Sequence, residues 1–254
     1  MSMYTLYIAN KNYSSWSMRP WVLMRALGLD FEEKMMPFHL HGGGKDFRSF
    51  SPTARVPCLY HGEAVIWDSL AITEYLAERH PGVWPATASV RAWARCAAAE
   101  MHSGFGNLRN DCSMSVGMRI RLHSISEGLR GELARLETLW AEGISRFGGP
   151  FLAGPRLTAV DAFFAPVATR IQTYGLPVTG AAADYATMLL QHPAVAEWIE
   201  AGVREPGAMC RTRRTFWPVE WCCRTCALEE AQPARRTHRG IHAVACAGNG
   251  ARRG

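Results

Sequence analysis

The sequence predicts a mixed α/β module followed by an all-helical one, and three observations carry that prediction. Within the first eighty residues, short runs of β-forming residues interleave with helical periodicity in the order β-α-β, connector, β-β-α. A stretch holding Pro81, Gly82 and Pro85 then breaks the pattern over 81–89. Beyond it, every periodic segment repeats at helical spacing.

Taken in order, Tyr4 to Ala9 alternates and is rich in β-formers, which predicts a strand. Trp21, Val22, Met24, Ala26 and Leu27 suit a helix that stops at Gly28. Phe31 to Phe38 reads as a second strand, followed by the Gly42-Gly43-Gly44 loop and a short segment from Asp46 to Phe50. Arg55 to Tyr60 enters a strand through Pro57, and Gly62-Glu63 turns it into Ala64 to Trp67, a hairpin. Asp68-Ser69 opens a helix traced by Leu70, Ile72, Thr73, Tyr75 and Leu76, which His80-Pro81-Gly82 ends. In the second half, 90–102 and 125–146 are helical, the latter with Leu129, Leu133, Leu136, Leu139 and Trp140 on one face. Thr158 and Asp161 form the start of a further helix in a capping-box arrangement, a folding role, and 182–190 and 195–202 complete the set.

The chain has 254 residues, enough for one large or two modest cores. The formal charge of +6 would point to nucleic acid if it were spread over the body. It is not: 1–208 balance 19 Lys and Arg against 19 Asp and Glu, while 209–254 hold 9 Arg and 3 Glu. No run has the eighteen or so apolar residues of a membrane span, and the chain opens into a strand instead of a signal sequence. Cys58, Cys96 and Cys112 are scattered and form no disulfide framework. These features predict a cytoplasmic enzyme with neither nucleic-acid nor membrane partners.

The tail after 208 crowds Cys210, Cys222, Cys223, Cys226 and Cys246 among Arg, Ala and Gly without hydrophobic period. Cys223, Cys226, His238 and His242 approach zinc-finger spacing, but no aromatic lies between the pairs and Pro233 interrupts the helix such a finger needs. The reading here is a disordered extension or the product of a reading-frame change, without metal. His39 and His41 share a strand face with no Cys or acid beside them, so no metal is expected there either.

The chemistry is expected where strand gives way to helix, at Tyr13-Ser14-Ser15-Trp16-Ser17. Hydroxyls there stand beside unpaired backbone N–H groups and the positive end of the macrodipole, a place suited to an anion, read here as a bound thiolate. A free thiol titrates near 8.5 and attacks only as thiolate. One charge-assisted hydrogen bond contributes about 1.5–3 kcal/mol, which corresponds to a thiol pKa lowered by about one to two units. Plain helix capping is the competing account of the same serines. Spacing alone does not choose between Ser14 and Ser15.

Several motifs, in order, resemble those of the glutathione S-transferase superfamily. The Tyr13 to Ser17 stretch is similar to its serine-type active-site turn, closest to the zeta class, in which the first serine faces the glutathione sulfur. Arg55-Val56-Pro57 resembles the family's cis-proline loop, and Asp68-Ser69-Leu70-Ala71-Ile72 its acid-serine helix start. Phe151-Leu152-Ala153-Gly154 through Asp161 resembles its N-capping segment, and His192-Pro193 with Trp198 its final helix. The likeness spans roughly 4–205.

That resemblance implies a thioredoxin-like glutathione-binding domain at 1–80, a linker at 81–89 and an all-helical domain at 90–208, with 209–254 outside both. It implies glutathione as co-substrate, a small electrophile as second substrate, no metal, and a homodimer. Ser14 becomes the favoured thiol activator, with Ser15 the alternative. The Val56 backbone, turned by a cis bond to Pro57, would pair with the cysteinyl unit as an added strand does. Ser69 suits the γ-glutamyl carboxylate and Asp68 the ammonium, while Arg55, Lys45 and His41 are candidates for the glycyl carboxylate. The chain departs from the zeta motif at Trp16, where that class has cysteine, and at Pro20. Transferase or peroxidase activity is therefore expected ahead of isomerisation. A non-catalytic binding module of the same fold is the alternative, and dithiol exchange is disfavoured because Ser14 and Ser17 stand where a Cys-x-x-Cys pair would.

Overall fold

The computed structural model describes residues 4–38 and 46–205 and the backbone of 220–223. The first half follows the predicted order: β1 (Tyr4–Ile8), α1 (Ser15–Ala26), β2 (Phe31–Met35), a single 3-10 turn at Asp46–Ser49, β3 (Cys58–His61), β4 (Ala64–Trp67) and α2 (Ser69–Ala77). The strands form one sheet in the order β2-β1-β3-β4. β1 runs parallel to β2 and antiparallel to β3, which pairs with β4 as a hairpin in the register Cys58 opposite Trp67. Alternation in β1 does what its pattern predicts, burying Tyr4, Leu6 and Ile8 on one face. β2 ends at Met35, three residues short of the expected Phe38. Gly28, at φ +67°, closes the chain after α1 in the left-handed region that glycine enters without a Cβ penalty.

The second half comprises α3 (Ala88–Ser103), α4 (Gly106–Asp111), β5 (Met118–Arg121), α5 (Glu127–Phe147), α6 (Ala159–Tyr174), α7 (Gly180–Gln191) and α8 (Pro193–Arg204). α3 starts two residues inside the stretch read as linker. α4 and β5 lie in an interval to which the sequence assigned nothing, because elements this short show too few repeats for a period to emerge. Helix α6 is buried from Ala159 through Arg170 and packs on α1, α3 and α7. A continuous apolar core runs from Leu6 and Trp21 to Trp140, Phe164 and Trp198, so the sheet and the helical half share one interior.

One strand of the tail is described: β6 (Glu220–Cys223) pairs antiparallel with β5. The remaining tail, with Cys226, His238 and His242, lies outside the described residues, as do His39, His41 and Lys45. Among the described residues no helix is long and apolar enough to cross a membrane.

Candidate active site

The loop from β1 to α1 is fixed by both halves of the molecule. The backbone N–H groups of Lys11 and Asn12 donate to the Glu205 carboxylate at 2.5 and 3.2 Å, and Trp198 Nε1 donates to the Lys11 carbonyl at 2.9 Å. Asn12 Oδ1 accepts from Gly117 N–H at 3.0 Å and Ser115 Oγ at 3.3 Å. Gly202 allows the close approach of α8, since a Cβ there would lie 2.9 Å from Asn12 N and 3.0 Å from the Lys11 carbonyl carbon. The loop therefore delivers Ser14 and Ser15 to a fixed place at the opening of α1.

Both serines are buried, and their hydroxyls face different partners. Ser14 occupies the N-cap position without a side-chain capping bond, and its Oγ donates to Ser17 Oγ at 2.7 Å. Ser17 Oγ also accepts the Ala9 N–H at 3.3 Å. Ser15 Oγ accepts from Arg170 Nη2 on α6 at 3.2 Å. Arg170 is itself clamped, Nε donating to the Cys112 carbonyl at 2.8 Å and Nη1 to the Pro166 carbonyl at 3.2 Å.

Two more guanidiniums stand nearby. Arg19, one turn along α1 from Ser15, is 1% exposed and stacks at 4.2 Å on the Trp16 ring and 4.7 Å on Phe163. Its Nη1 makes only long contacts, 3.4 Å to Ser69 Oγ and 3.4 Å to His102 Nδ1, and its Nε has no partner. Arg109 covers the Trp16 ring at 4.9 Å and donates to the carbonyls of Met101, His102 and Gly104. Among the described residues, no carboxylate ion-pairs with Arg19, Arg109 or Arg170. Burial, then the neighbouring Arg109 and Arg170, push Arg19 well below its ordinary range, with Asp68 opposing. Burial and Arg109 bring Arg170 down to about 10, still charged at neutral pH. His102 is lowered by burial first and by Arg19 and Arg109, against Asp68, and its Nδ1 lies 3.4 Å from Arg19 Nη1. The cluster thus gathers three guanidiniums that no carboxylate pairs with directly among the described residues, with Asp68 acting on Arg19 from a distance.

Of the other expected residues, Asp68 and Ser69 touch this cluster through His102 and Arg19. Asp68 caps α2, its Oδ1 accepting from Leu70 N–H at 2.8 Å and Ala71 N–H at 3.4 Å, and its Oδ2 lies 3.5 Å from His102 Nε2. Ser69 is fully buried with its Oγ toward Arg19. The Val56–Pro57 peptide is cis, with Val56 half-buried and Pro57 buried, while Arg55 is exposed with its N–H on Ser51 Oγ at 3.3 Å. His41 and Lys45 fall outside the described residues.

Residues 13–79 match the family model described as glutathione S-transferase, N-terminal domain, and residues 121–201 the model described as glutathione S-transferase, C-terminal domain. The chain belongs to the glutathione S-transferase superfamily. Glutathione S-transferase 1 of Dianthus caryophyllus is 28% identical over 172 residues, covering 63% of this chain and 74% of its own length. A zeta-class glutathione S-transferase of Euphorbia esula is 29% identical over 163 residues, covering 60% and 70%. A crystal structure of a glutathione transferase homologue from Burkholderia, with bound glutathione, superposes with a TM-score of 0.60 at 26% identity, covering 78% of this chain and 97% of that one.

Within this superfamily member, sequence reading did not anticipate the basic cluster. Arg19, His102, Arg109 and Arg170 come from four helices, and no local motif joins them. One signal was available: Arg170 follows Phe163 and Val167 at i+7 and i+3, which places a charge on the buried face of an otherwise apolar helix.

Proposed function

We propose that this protein is a serine-type, zeta-like glutathione transferase: one of the adjoining hydroxyls of Ser14 and Ser15 keeps the glutathione thiol ionised, and the thiolate attacks an electrophilic carbon. The observation that carries this reading is the pairing of two buried serines at a helix N-terminus with buried guanidiniums that no carboxylate neutralises. Such a recess disfavours a cation, tolerates a neutral group and favours an anion. The glutathione-bound relative names the tripeptide whose sulfur would supply that charge.

In this reading the Val56 backbone beside Pro57 pairs with the cysteinyl unit, and Asp68 Oδ2, which faces His102, receives the ammonium. Ser69 and the amide end of α2 hold the γ-glutamyl carboxylate, and Arg55, with His41 and Lys45, serves the glycyl end. The attacking sulfur forms a carbon–sulfur bond as the leaving group departs with its electron pair. Isomerase and peroxidase chemistry would use the same thiolate. A thioredoxin-like unit at 1–80, the 81–89 linker and a helical unit at 90–208 form the working body. A second copy of the chain fits the edge strand β4, where Val65, Ile66, Trp67, Leu70, Ala71 and Glu74, with Asp68 of the ammonium site among them, line a groove of about 550 Å³ and Trp67 is 43% exposed. Sedimentation of Trp67→Glu checks this, and a monomer is the expected result.

Ultraviolet titration of enzyme-bound glutathione tests the main reading. The bound thiol is expected to titrate about one to two units below its free value near 8.5. Binding with an unaltered thiol would instead identify a non-catalytic module of the same fold.

A further inference from the structure

We propose that Ser15, and not Ser14, is the hydroxyl that donates to the glutathione thiolate, and that Arg170 is the positioning residue that aims and polarises it. The inference rests on the transferase reading above and goes a step past it. Two adjacent serines open α1, and their protons have different fates. Ser14 directs its O–H to Ser17 Oγ at 2.7 Å, a bond buried at both ends, so its proton points into the first turn of α1. Ser15 accepts from Arg170 Nη2 at 3.2 Å, which engages a lone pair and leaves its own proton without an acceptor among the described residues. A hydroxyl donates one proton, so of the two adjoining serines Ser15 is the one with a proton to give in this arrangement.

Arg170 suits the polarising role because it is immobile. Two carbonyls, Cys112 and Pro166, fix its Nε and Nη1, and the side chain is 4% exposed. A hydroxyl that accepts from a buried cation becomes a stronger donor through its remaining proton, since the two bonds polarise one another in a low-dielectric setting. The guanidinium also lies one hydroxyl away from a sulfur bound at Ser15, so its charge adds directly to the stabilisation of thiolate over thiol. Arg19 points to the same occupant: its Nε is buried and unpartnered, one turn along α1 from Ser15. On ionisation the thiol proton leaves to solvent. Ser15 retains its own proton and shares it with sulfur, and no bond to the protein forms.

The experiment is ultraviolet titration of bound glutathione in the parent protein, Ser14→Ala, Ser15→Ala, Arg170→Met and Arg170→Lys, with the pH profile of kcat/KM for an aryl halide acceptor followed in parallel. Ser15→Ala and Arg170→Met are expected to raise the thiol pKa by about one unit or more, and Arg170→Lys to restore part of the loss. Ser14→Ala is expected to raise it by less than half as much as Ser15→Ala. The reverse order for the two serines overturns the proposal while leaving the transferase reading standing. A parent protein whose bound thiol titrates like free glutathione overturns that reading itself. Should Arg170→Met fail to fold, the Ser14→Ala and Ser15→Ala pair decides between the hydroxyls, and Arg170→Lys tests the polarising role through the acid limb of the pH profile.

Discussion

Helix α6 carries two buried charges about two and a half turns apart, and the protein treats them in opposite ways. Asp161, in the first turn, is fully buried and fully satisfied. Its Oδ1 accepts from Leu152 N–H at 3.0 Å and Tyr185 O–H at 2.9 Å, and its Oδ2 from Thr158 N–H at 2.9 Å and Thr158 O–H at 3.3 Å. Arg170 and its neighbour Arg19 are buried as deeply, yet no carboxylate answers them, and Arg19 keeps an orphaned Nε. A buried charge is tolerated when its surroundings replace water. At Asp161 each carboxylate oxygen finds two donors, which is the mark of a folding element, although burial still outweighs those bonds in its titration. At Arg19 they stop short, because its Nε has no partner among the described residues.

The largest test of that contrast is Asp161→Ala. It strips the acceptor from four donors at once, two of them backbone amides, and should cost about 3–5 kcal/mol in urea denaturation. A loss near zero would dissolve the contrast from the Asp161 side.

Asp161 also provides a pH signature. Burial pushes its carboxyl up to about 6, against the pull of the Thr158, Leu152 and Tyr185 hydrogen bonds. The folded protein then holds this proton more tightly than the unfolded chain, whose aspartate titrates near 3.9. Its contribution is therefore full below about pH 4 and declines as pH rises through 6, by about 3 kcal/mol in all. Subtracting the pH–stability curve of Asp161→Asn from that of the parent isolates this window, because the asparagine cannot titrate. A difference curve that rises with pH would show that the four donors prevail over burial.

Arg19→Met probes the other side. The substitution keeps much of the apolar volume stacked on Trp16 and Phe163 and removes an ion without a counter-ion. Stability should be unchanged or raised by up to about 2 kcal/mol, while the affinity for glutathione falls. A large destabilisation would mean that Arg19 serves folding as Asp161 does.

The same contrast explains what was legible in the sequence. Alternation in Tyr4 to Ile8, the hairpin around Gly62, the α5 leucine face and the Thr158–Asp161 helix start are local, and the structure reproduces each. The serine cluster at the start of α1 was visible because it lies in a few consecutive residues, although Ser14 at the N-cap makes no side-chain capping bond. The basic cluster joins positions 19, 102, 109 and 170, and nothing in the neighbourhood of any one of them says that the others arrive. Only the anomaly of arginine on an apolar face hinted at it. The direction in which each hydroxyl points was equally out of reach, since it depends on Ser17 and on a side chain more than 150 residues away.

The smallest effect, and the finest discrimination, comes from Ser17→Ala. Ser17 Oγ accepts the Ser14 proton and the Ala9 N–H, so its removal leaves one buried amide short of a partner and should cost only about 1 kcal/mol. Its informative consequence is at the sulfur. With Ser17 gone, the Ser14 hydroxyl is free to turn toward the ligand. If Ser14 were the activator held in check by its neighbour, the bound thiol would become more acidic by about one unit. If Ser15 on Arg170 already supplies the donor, a second hydroxyl joining late adds little, and titration of bound glutathione in Ser17→Ala should overlay the parent curve. Because the Ser14→Ala and Ser17→Ala variants alter the same proton in opposite senses, a thiol pKa that moves in opposite directions in the two would assign the chemistry to Ser14. Coincident curves would leave Ser15 as the donor.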